Sequence, residues 1–211
     1  MNFLQALNKG YDLLKSNKID TYKIDTEVLL SESLNISKEK LILNLENVID
    51  SLSYKKFLSH IKRRNDKEPL AYILNKKEFW KNEFYINKNV LVPRPETEHL
   101  VEETLKIIST NQRKKLLEIG IGSGCLIISI LKERKNCYAH GIDCCEKALK
   151  TANINVNLHQ IKNRIKIFKT DVDNFNRGKY DLIISNPPYI DNKHLKYLDV
   201  SKHEPLLALN G

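Results

Sequence analysis

The fold of this chain is decided by the stretch Leu116-Leu117-Glu118-Ile119-Gly120-Ile121-Gly122-Ser123-Gly124. Three of the seven glycines in the 211 residues fall here, directly after an apolar run that predicts a buried strand. Without Cβ atoms, such a loop can turn sharply and let a ligand approach its backbone, while the following helix presents free N–H groups. We therefore expect a ligand-binding loop between a strand and a helix. The alternative is a tight strand-to-helix turn with no ligand.

The residues around this loop alternate between strand and helix patterns. Strands are predicted at Lys115–Ile119, Tyr138–Ile142, Ile165–Lys169 and Tyr180–Ser185, and helices near Leu126–Lys135 and Glu146–Leu158. Alternation of this kind is typical of a parallel, doubly wound α/β sheet. Ligands of such sheets bind at the carboxyl ends of the strands, which is where the glycine loop lies.

Two acidic residues follow the next two predicted strands. The glycine spacing is GxGxG rather than the GxGxxG of dinucleotide folds, which favours a ligand without a pyrophosphate. Asp143 ends the second strand, where a carboxylate can accept hydrogen bonds from a ribose diol. Asp171 ends the third, where its side chain or the backbone of Val172 can contact an adenine edge. Taken together these features predict an adenosine pocket, although each acid alone can be a helix N-cap.

The fourth predicted strand runs directly into Asn186-Pro187-Pro188-Tyr189. Each proline restricts the backbone and lacks an N–H, so the segment presents acceptors at fixed angles. The side-chain oxygen of Asn186 and the carbonyl of Pro187 can hold both hydrogens of a planar –NH2 group in line with an electrophile. Tyr189 would stack on that flat group. An ordinary surface turn is the alternative interpretation.

The first 92 residues show different patterns. Residues 1–75 have apolar positions at helical spacing, such as Phe3, Leu7 and Leu14, and predict a small helical bundle. Phe79-Trp80 and Phe84–Ile86 predict two short strands joined by a tight turn. We therefore divide the chain into a helical domain over 1–75, a hairpin linker over 76–92 and the α/β domain over 93–211.

Composition excludes several classes of protein. The longest apolar run, within Cys125–Leu131, is far shorter than the ~20 residues that span a bilayer, and no secretory signal is visible. The four cysteines show neither disulfide nor zinc spacing, so we expect no metal and a cytoplasmic protein with reduced thiols. The net charge of +9 is spread along the chain, and no dense basic patch interleaved with aromatic residues appears in the sequence.

These residues resemble class I S-adenosylmethionine-dependent methyltransferases, specifically the release-factor glutamine methyltransferases of the HemK/PrmC type. The resemblance covers nearly the whole chain. It includes the glycine loop, Asn186–Tyr189 and the following segments: Asp25–Leu30, Pro69–Leu74, Lys77–Trp80, Val90–Glu98 and Glu204–Leu209.

The resemblance implies methylation of the side-chain amide of the glutamine in the Gly-Gly-Gln loop of peptide chain release factors, with S-adenosylmethionine as cofactor. Asn186, Pro187 and Tyr189 would be catalytic, and Asn186–Tyr189 would hold the glutamine. The cofactor would contact Glu118, Gly120, Ile121, Gly122, Ser123, Gly124, Asp143, Asp171, Val172 and Asn186. Residues 1–75 would recognise the release factor, and neither nucleic acid nor a membrane would be needed as a partner.

Two departures from the family lead to further expectations. A glycine usual near Asn75-Lys76 is absent, which puts the linker turn in doubt. Family members continue for several more strands, so we expect a C-terminally truncated, incomplete Rossmann-like sheet whose Tyr180–Ser185 strand is an exposed edge. Two other functions stay open. The first is an adenine amino-methyltransferase acting on DNA or RNA, and the second is an inactive truncated fragment.

Overall fold

The computed structural model describes residues 1–191 and 202–211. The chain forms two compact units, Met1–Leu74 and Asn75–Gly211. The hairpin that the sequence suggested as a linker thus falls within the second unit. None of the helices in the described ranges is long and apolar enough to cross a membrane.

The first unit is a bundle of five helices. They are α1 (Phe3–Ser16), α2 (Tyr22–Leu34), α3 (Lys38–Leu43), α4 (Ser51–Asn65) and α5 (Leu70–Leu74). The N-termini of α1, α3 and α4 are capped by Asn2, Ser37 and Asp50, whose side chains accept backbone N–H bonds that the helix leaves free. The helix α5 was not predicted, because five residues after a proline show no helical period.

Large apolar side chains from every helix form the core of this unit. Leu14, Leu29, Leu41 and Phe57 are fully buried there. The unit also contains an ion pair between α4 and the buried Asp25 of α2, in which Arg64 Nε donates to Asp25 Oδ2 at 2.6 Å. A buried carboxylate is costly unless it is paired, so this contact allows Asp25 to lie inside the bundle.

The second unit begins with an antiparallel hairpin of β1 (Lys76–Phe79) and β2 (Asn82–Tyr85). The sequence had suggested that Trp80 belongs to the first strand. In the structure it lies in the turn, with a φ of 53°. Asn75 adopts a φ of 54° before β1, a left-handed conformation that asparagine tolerates better than most residues. The turn at Asn75-Lys76 therefore forms without the glycine usual in the family.

The main sheet has four parallel strands in the order β5-β4-β3-β6. They are β3 (Lys115–Ile119), β4 (Tyr138–Asp143), β5 (Ile165–Lys169) and β6 (Leu182–Ser185), with helices α6 (Glu98–Ile107), α7 (Cys125–Glu133) and α8 (Glu146–Leu158). This arrangement confirms the predicted α/β fold with a parallel sheet after a helical bundle. It also places β6 beside β3, so the segment after β6 and the glycine loop after β3 emerge at the same edge.

Candidate active site

A cavity of about 350 Å³ lies at the carboxyl ends of the four strands. Ligand pockets of proteins begin at about this size. Its walls come from the glycine loop, the ends of β4, β5 and β6, the segment 89–97 and the segment 205–208. We call it the active-site cavity. Eleven of the predicted site residues line it: Glu118, Gly120, Ile121, Gly122, Ser123, Asp143, Asp171, Val172, Asn186, Pro187 and Pro188.

The glycine loop takes a conformation that few other residues adopt. Gly120, Gly122 and Gly124 all have positive φ angles, of 71°, 53° and 80°. The N–H groups of Gly120 and Ile121 both donate to the carbonyl of Ile142 at 2.9 Å, which ties the loop to the end of β4. The left-handed backbone explains why glycine occupies these positions. Gly124 is the N-cap residue of α7 and lies outside the cavity lining.

Asp143 connects this loop to the next helix. One carboxylate oxygen accepts from Gly122 N at 3.0 Å, and the other accepts from Cys145 N at 2.9 Å. Each oxygen of an ionised carboxylate has further acceptor capacity. Asp143 can therefore hold the loop in place and still accept hydrogen bonds from two ligand hydroxyls at the cavity wall.

Asp171 lies at the cavity edge after β5. Its oxygens accept hydrogen bonds from the backbone and side chain of Asn174 at 2.8–2.9 Å, and these bonds lower the pKa of the Asp171 carboxyl. The neighbouring Val172 is exposed and also lines the cavity. The bonds to Asn174 fix the turn that presents both residues to the cavity.

Glu118 is a buried carboxyl at the cavity floor. Burial raises its pKa well above the usual range. A hydrogen bond from Ile127 N at 3.3 Å acts in the opposite direction, and the nearby Asp143 raises the pKa further. Burial also raises the pKa of the adjoining Cys125 thiol to about 12, so this cysteine is protonated and unreactive. A cationic group bound in the cavity would favour ionisation of Glu118.

Asn186, Pro187 and Pro188 line the same cavity, on the side where β6 ends. The side-chain nitrogen of Asn186 donates to Thr97 Oγ1 at 3.1 Å. This contact leaves the amide oxygen of Asn186 as an acceptor for a ligand. Tyr189 is 78% exposed and lies outside the cavity lining, so only part of the predicted motif faces the cavity.

Three contributors to the site were not singled out from the sequence. Thr97 orients Asn186, as described above. Arg94 Nη2 donates to Glu204 Oε1 at 2.6 Å, and Val92 N donates to Glu204 Oε2 at 3.1 Å. Glu204 is buried, and this contact joins the segment before α6 to the segment 205–208 in the cavity wall. Arg94 and Glu204 both lie within segments that carry the family resemblance. That resemblance was the sequence signal by which they could have been identified.

Asn155 is the third contributor. It is fully buried in α8 and accepts from Tyr85 N at 2.7 Å, while its side-chain nitrogen donates to the carbonyls of Tyr85 and Ser123 at 2.9 Å each. It therefore links the hairpin to the glycine loop. The sequence signal was an asparagine on the apolar face of a helix, where a polar residue needs specific partners.

The charge of the cavity limits what it can bind. Among the described residues of its lining, three are acidic (Glu118, Asp143 and Asp171) and Arg94 is the single cation. A pyrophosphate would face the carboxylates of Asp143 and Asp171 there, whereas a ligand with hydroxyls and a cationic group would be favoured. In the described ranges, no group of three His, Cys, Asp or Glu side chains is placed to hold a metal ion.

Comparison with known proteins agrees with both units. Residues 5–74 match the family described as PrmC N-terminal domain, and residues 97–202 match the Methyltransferase small domain. Among solved structures, the catalytic domain of hMettl16 in complex with a MAT2A 3′UTR hairpin has a TM-score of 0.50 at 18% identity. That match covers 61% of this chain and 50% of the other, and it supports the fold alone.

Curated relatives cover the whole chain. The release factor glutamine methyltransferase of Clostridium acetobutylicum is 37% identical over 216 residues, a match covering 100% of this chain and 76% of the relative. The protein of the same name from Caulobacter vibrioides is 31% identical, covering 100% of this chain and 74% of the relative. Since both domains and the full length are matched, this chain is a methyltransferase and belongs to the release factor glutamine methyltransferase family.

Proposed function

We propose that this chain transfers the methyl group of S-adenosylmethionine to the side-chain amide nitrogen of the glutamine in the Gly-Gly-Gln loop of peptide chain release factors. The observation that carries the proposal is that Asn186 and Pro187 line the same cavity as the glycine loop of the adjacent strand. Two acceptors suited to an –NH2 group thus share a cavity with a loop suited to a nucleoside. The names of the relatives support the substrate.

The cavity residues fit S-adenosylmethionine. Asp143 has acceptor capacity for the ribose hydroxyls, and Asp171 with Val172 lies where an adenine edge would be read. Glu118, at the acidic floor, would face the methionine end, whose amino group is cationic. Backbone of Gly120–Ser123 would contact the ligand closely because the glycines have no side chain. We therefore assign these residues to cofactor binding.

The chemistry requires an amide nitrogen to act as a nucleophile. When bound, S-adenosylmethionine supplies a methyl group activated by a sulfonium. The amide oxygen of Asn186 and the carbonyl of Pro187 would accept the two N–H bonds of the glutamine and hold its nitrogen in line. As the N–C bond forms, the bond between the methyl group and the sulfonium would break with its electron pair staying on sulfur, and these acceptors would stabilise the positive charge on nitrogen. Neither acceptor is a strong base, so the proton would leave to water after the transfer.

The remaining predicted residues would act where the substrate enters. Tyr189 is exposed beyond the cavity and would stack on the flat glutamine amide as the loop arrives. Pro188, with no N–H, stiffens the segment between them. We expect the reaction to take place in the cytoplasm, with the release factor as its protein substrate.

The N-terminal unit would recognise the release factor. Four large apolar side chains are exposed around the connection between α3 and α4: Ile42, Leu43, Val48 and Leu52. Exposed apolar groups of this kind are typical of protein-binding surfaces. We call them the α3–α4 apolar group and assign them to the release factor.

A transfer assay tests the proposal. The full chain is incubated with methyl-labelled S-adenosylmethionine and either a release factor, the same factor with its Gly-Gly-Gln glutamine replaced by alanine, or nucleic acid. We expect label only in the unmodified factor, and Asn186→Ala should abolish transfer while cofactor affinity changes by less than about tenfold, or ~1.4 kcal/mol. Label in nucleic acid alone would instead support an adenine amino-methyltransferase. Cofactor binding without any transfer would support the inactive fragment.

A further inference from the structure

A second cavity, of about 600 Å³, lies at the opposite end of the parallel sheet. Its walls contain the first residues of three strands, Lys115 of β3, Tyr138 of β4 and Ile165 of β5, together with Asp181 just before β6. We call it the basic cleft. Because the five residues of β3 span about 13 Å at ~3.3 Å per residue, the cleft is separate from the active-site cavity.

The basic cleft concentrates the positive charge of the chain. Among the described residues that line it, six carry cationic side chains and one is a carboxylate; the cations are Arg113, Lys114, Lys115, Lys162, Arg164 and Lys166. This surplus of five compares with a net charge of +9 for all 211 residues. A concave surface lined by one sign of charge attracts ligands of the opposite sign. The active-site cavity, by contrast, is acidic.

Only some of these cations have a structural role. Arg164 Nη1 donates to the carbonyl of Leu131 at 2.7 Å, and Lys114 pairs with Asp181 at 3.0 Å. In the part of the chain that the structure describes, Arg113, Lys162 and Lys166 take part in none of the ion pairs, and all three are exposed. Unpaired cations gathered in one cleft repel one another, so their placement favours an anionic ligand.

Aromatic side chains are interleaved with the cations. The guanidinium of Arg113 lies 5.2 Å from the ring centre of Tyr138, which is 42% exposed. Lys115 Nζ lies 4.7 Å from the ring centre of Tyr180, whose hydroxyl contacts His140 Nδ1 at 2.7 Å. Cation–π contacts of this kind hold long side chains in defined positions. The cleft therefore presents ordered cations beside an accessible ring.

The electrostatics of His140 agree with this description. Burial lowers the pKa of its imidazole, and the nearby Lys115, Lys166 and Arg177 lower it further. Three cations from different segments of the chain thus act on the imidazole of His140, which lines the cleft. His140 is neutral at pH 7, so it adds no charge but can share a hydrogen bond with Tyr180.

We propose that the basic cleft binds the backbone of a single-stranded nucleic acid, with Arg113, Lys162 and Lys166 on its phosphates and a base stacked beside Tyr138. Single-strand sites combine a positively charged groove with aromatic rings in this way. An acidic peptide would use the cations but has no flat base to pair with the ring. The nucleic acid bound here would not be the methyl acceptor, because the active-site cavity opens at the other end of the sheet.

The test uses fluorescence anisotropy with the full chain and a labelled uridine 15-mer, its DNA counterpart, and polyglutamate. We expect both oligonucleotides to bind, with affinity that falls as salt increases and a slope of about 0.7 per phosphate contact. The triple variant Arg113→Gln/Lys162→Gln/Lys166→Gln should weaken binding at least tenfold and reduce the slope by about 2. Tyr138→Ala should weaken binding about tenfold with the slope unchanged.

A matched variant controls for loss of charge alone. Lys40→Gln/Lys55→Gln/Lys147→Gln removes three exposed lysines outside the cleft and should leave binding within about twofold. Thermal melting checks that every variant folds, and methylation of a release factor should be unchanged in all of them, which separates this proposal from the methyl transfer. Tighter binding of RNA than of DNA would add a 2′-hydroxyl contact to the same site. Equal weakening in the two triple variants, or preferential binding of polyglutamate, would overturn the proposal.

Discussion

The side-chain nitrogen of Asn186 donates a hydrogen bond to Thr97 Oγ1 at 3.1 Å, across 89 residues of sequence. An asparagine amide can present either its oxygen or its nitrogen to a ligand. Since the nitrogen is engaged by Thr97, the oxygen is directed to accept. This contact fixes the chemical role that Asn186 can play in the cavity, whose lining also includes Thr97.

Loss of the Thr97 hydroxyl is expected to slow transfer without affecting the cofactor. Thr97→Val removes one hydrogen bond, typically worth about 0.5–1.5 kcal/mol, so kcat should fall by roughly two- to tenfold. Affinity for S-adenosylmethionine, measured by calorimetry, should not change. Thr97→Ser keeps the hydroxyl and should retain the activity. An unchanged kcat in Thr97→Val would show that Thr97 does not position Asn186.

Asp143→Ala is expected to weaken cofactor binding by more than tenfold. The substitution removes the acceptor proposed for the ribose and also frees the N–H of Gly122, so the loop loses one of its attachments to the end of β4. Titration calorimetry with S-adenosylmethionine measures the effect. Asp173→Ala, at an exposed carboxylate nearby, is the control and should bind normally. Equal affinity in both variants would remove Asp143 from the cofactor site.

The buried Glu118 should make stability depend on pH. Its pKa in the folded chain is raised above the ordinary value of 4.5, so the folded state holds a proton that the unfolded state releases. This contribution is complete below the unfolded pKa and is lost as pH rises through the folded pKa. Glu118→Gln should therefore gain Tm relative to the wild type as pH increases. Melting curves from pH 5 to 9 check this.

A matched variant in the same melting experiment tests whether the pH effect comes from burial of the carboxyl or from the loss of any carboxyl group. Glu103→Gln changes an exposed carboxylate on α6 and should keep a constant offset from the wild type across the range. If the Glu118→Gln and wild-type curves run parallel instead, the carboxyl at the cavity floor is not held neutral by burial.

Asn155→Ala is expected to destabilise the second unit. It deletes three hydrogen bonds and leaves the N–H and carbonyl of Tyr85 and the carbonyl of Ser123 without this partner. Since each buried group left unsatisfied costs about 1–3 kcal/mol, we expect a loss of ~3–5 kcal/mol in urea unfolding. Asn153→Ala, on the exposed side of the same helix, should stay within ~0.5 kcal/mol. Similar losses in both would contradict a specific link by Asn155.

The α3–α4 apolar group should matter for the protein substrate alone. Leu43→Ser with Leu52→Ser removes two exposed apolar side chains and should raise KM for the release factor severalfold, because apolar area is lost from the proposed contact. Cofactor affinity should be unaffected. Ile107→Ser, an exposed apolar position on α6, serves as the control. Equal KM values in all three proteins would move the recognition surface elsewhere.

Local patterns in the sequence predicted the parallel sheet, the polar residues that follow its strands and eleven of the residues that line the cavity. The glycine loop, Asp143, Asp171 and Asn186 each follow a strand, and parallel strands end at one edge, so their meeting could be predicted without a structure. The sequence was less informative where the apolar residues show no helical or strand periodicity. The short helix α5 was not singled out within the predicted bundle and Trp80 was placed in a strand, because only a few residues specify each of these features.

Only the tertiary structure shows the long-range side-chain contacts that position the site residues. Thr97 meets Asn186, and Arg94 meets Glu204, across 89 and 110 residues, and side-chain partners at such separations leave no periodic signal. The basic cleft also forms only when segments that are distant in sequence meet in the folded chain. Its cations fall in two short stretches of sequence, 113–115 at the start of β3 and 162–166 at the start of β5. Both strands pair in parallel with β4, which brings the two stretches to one edge of the sheet.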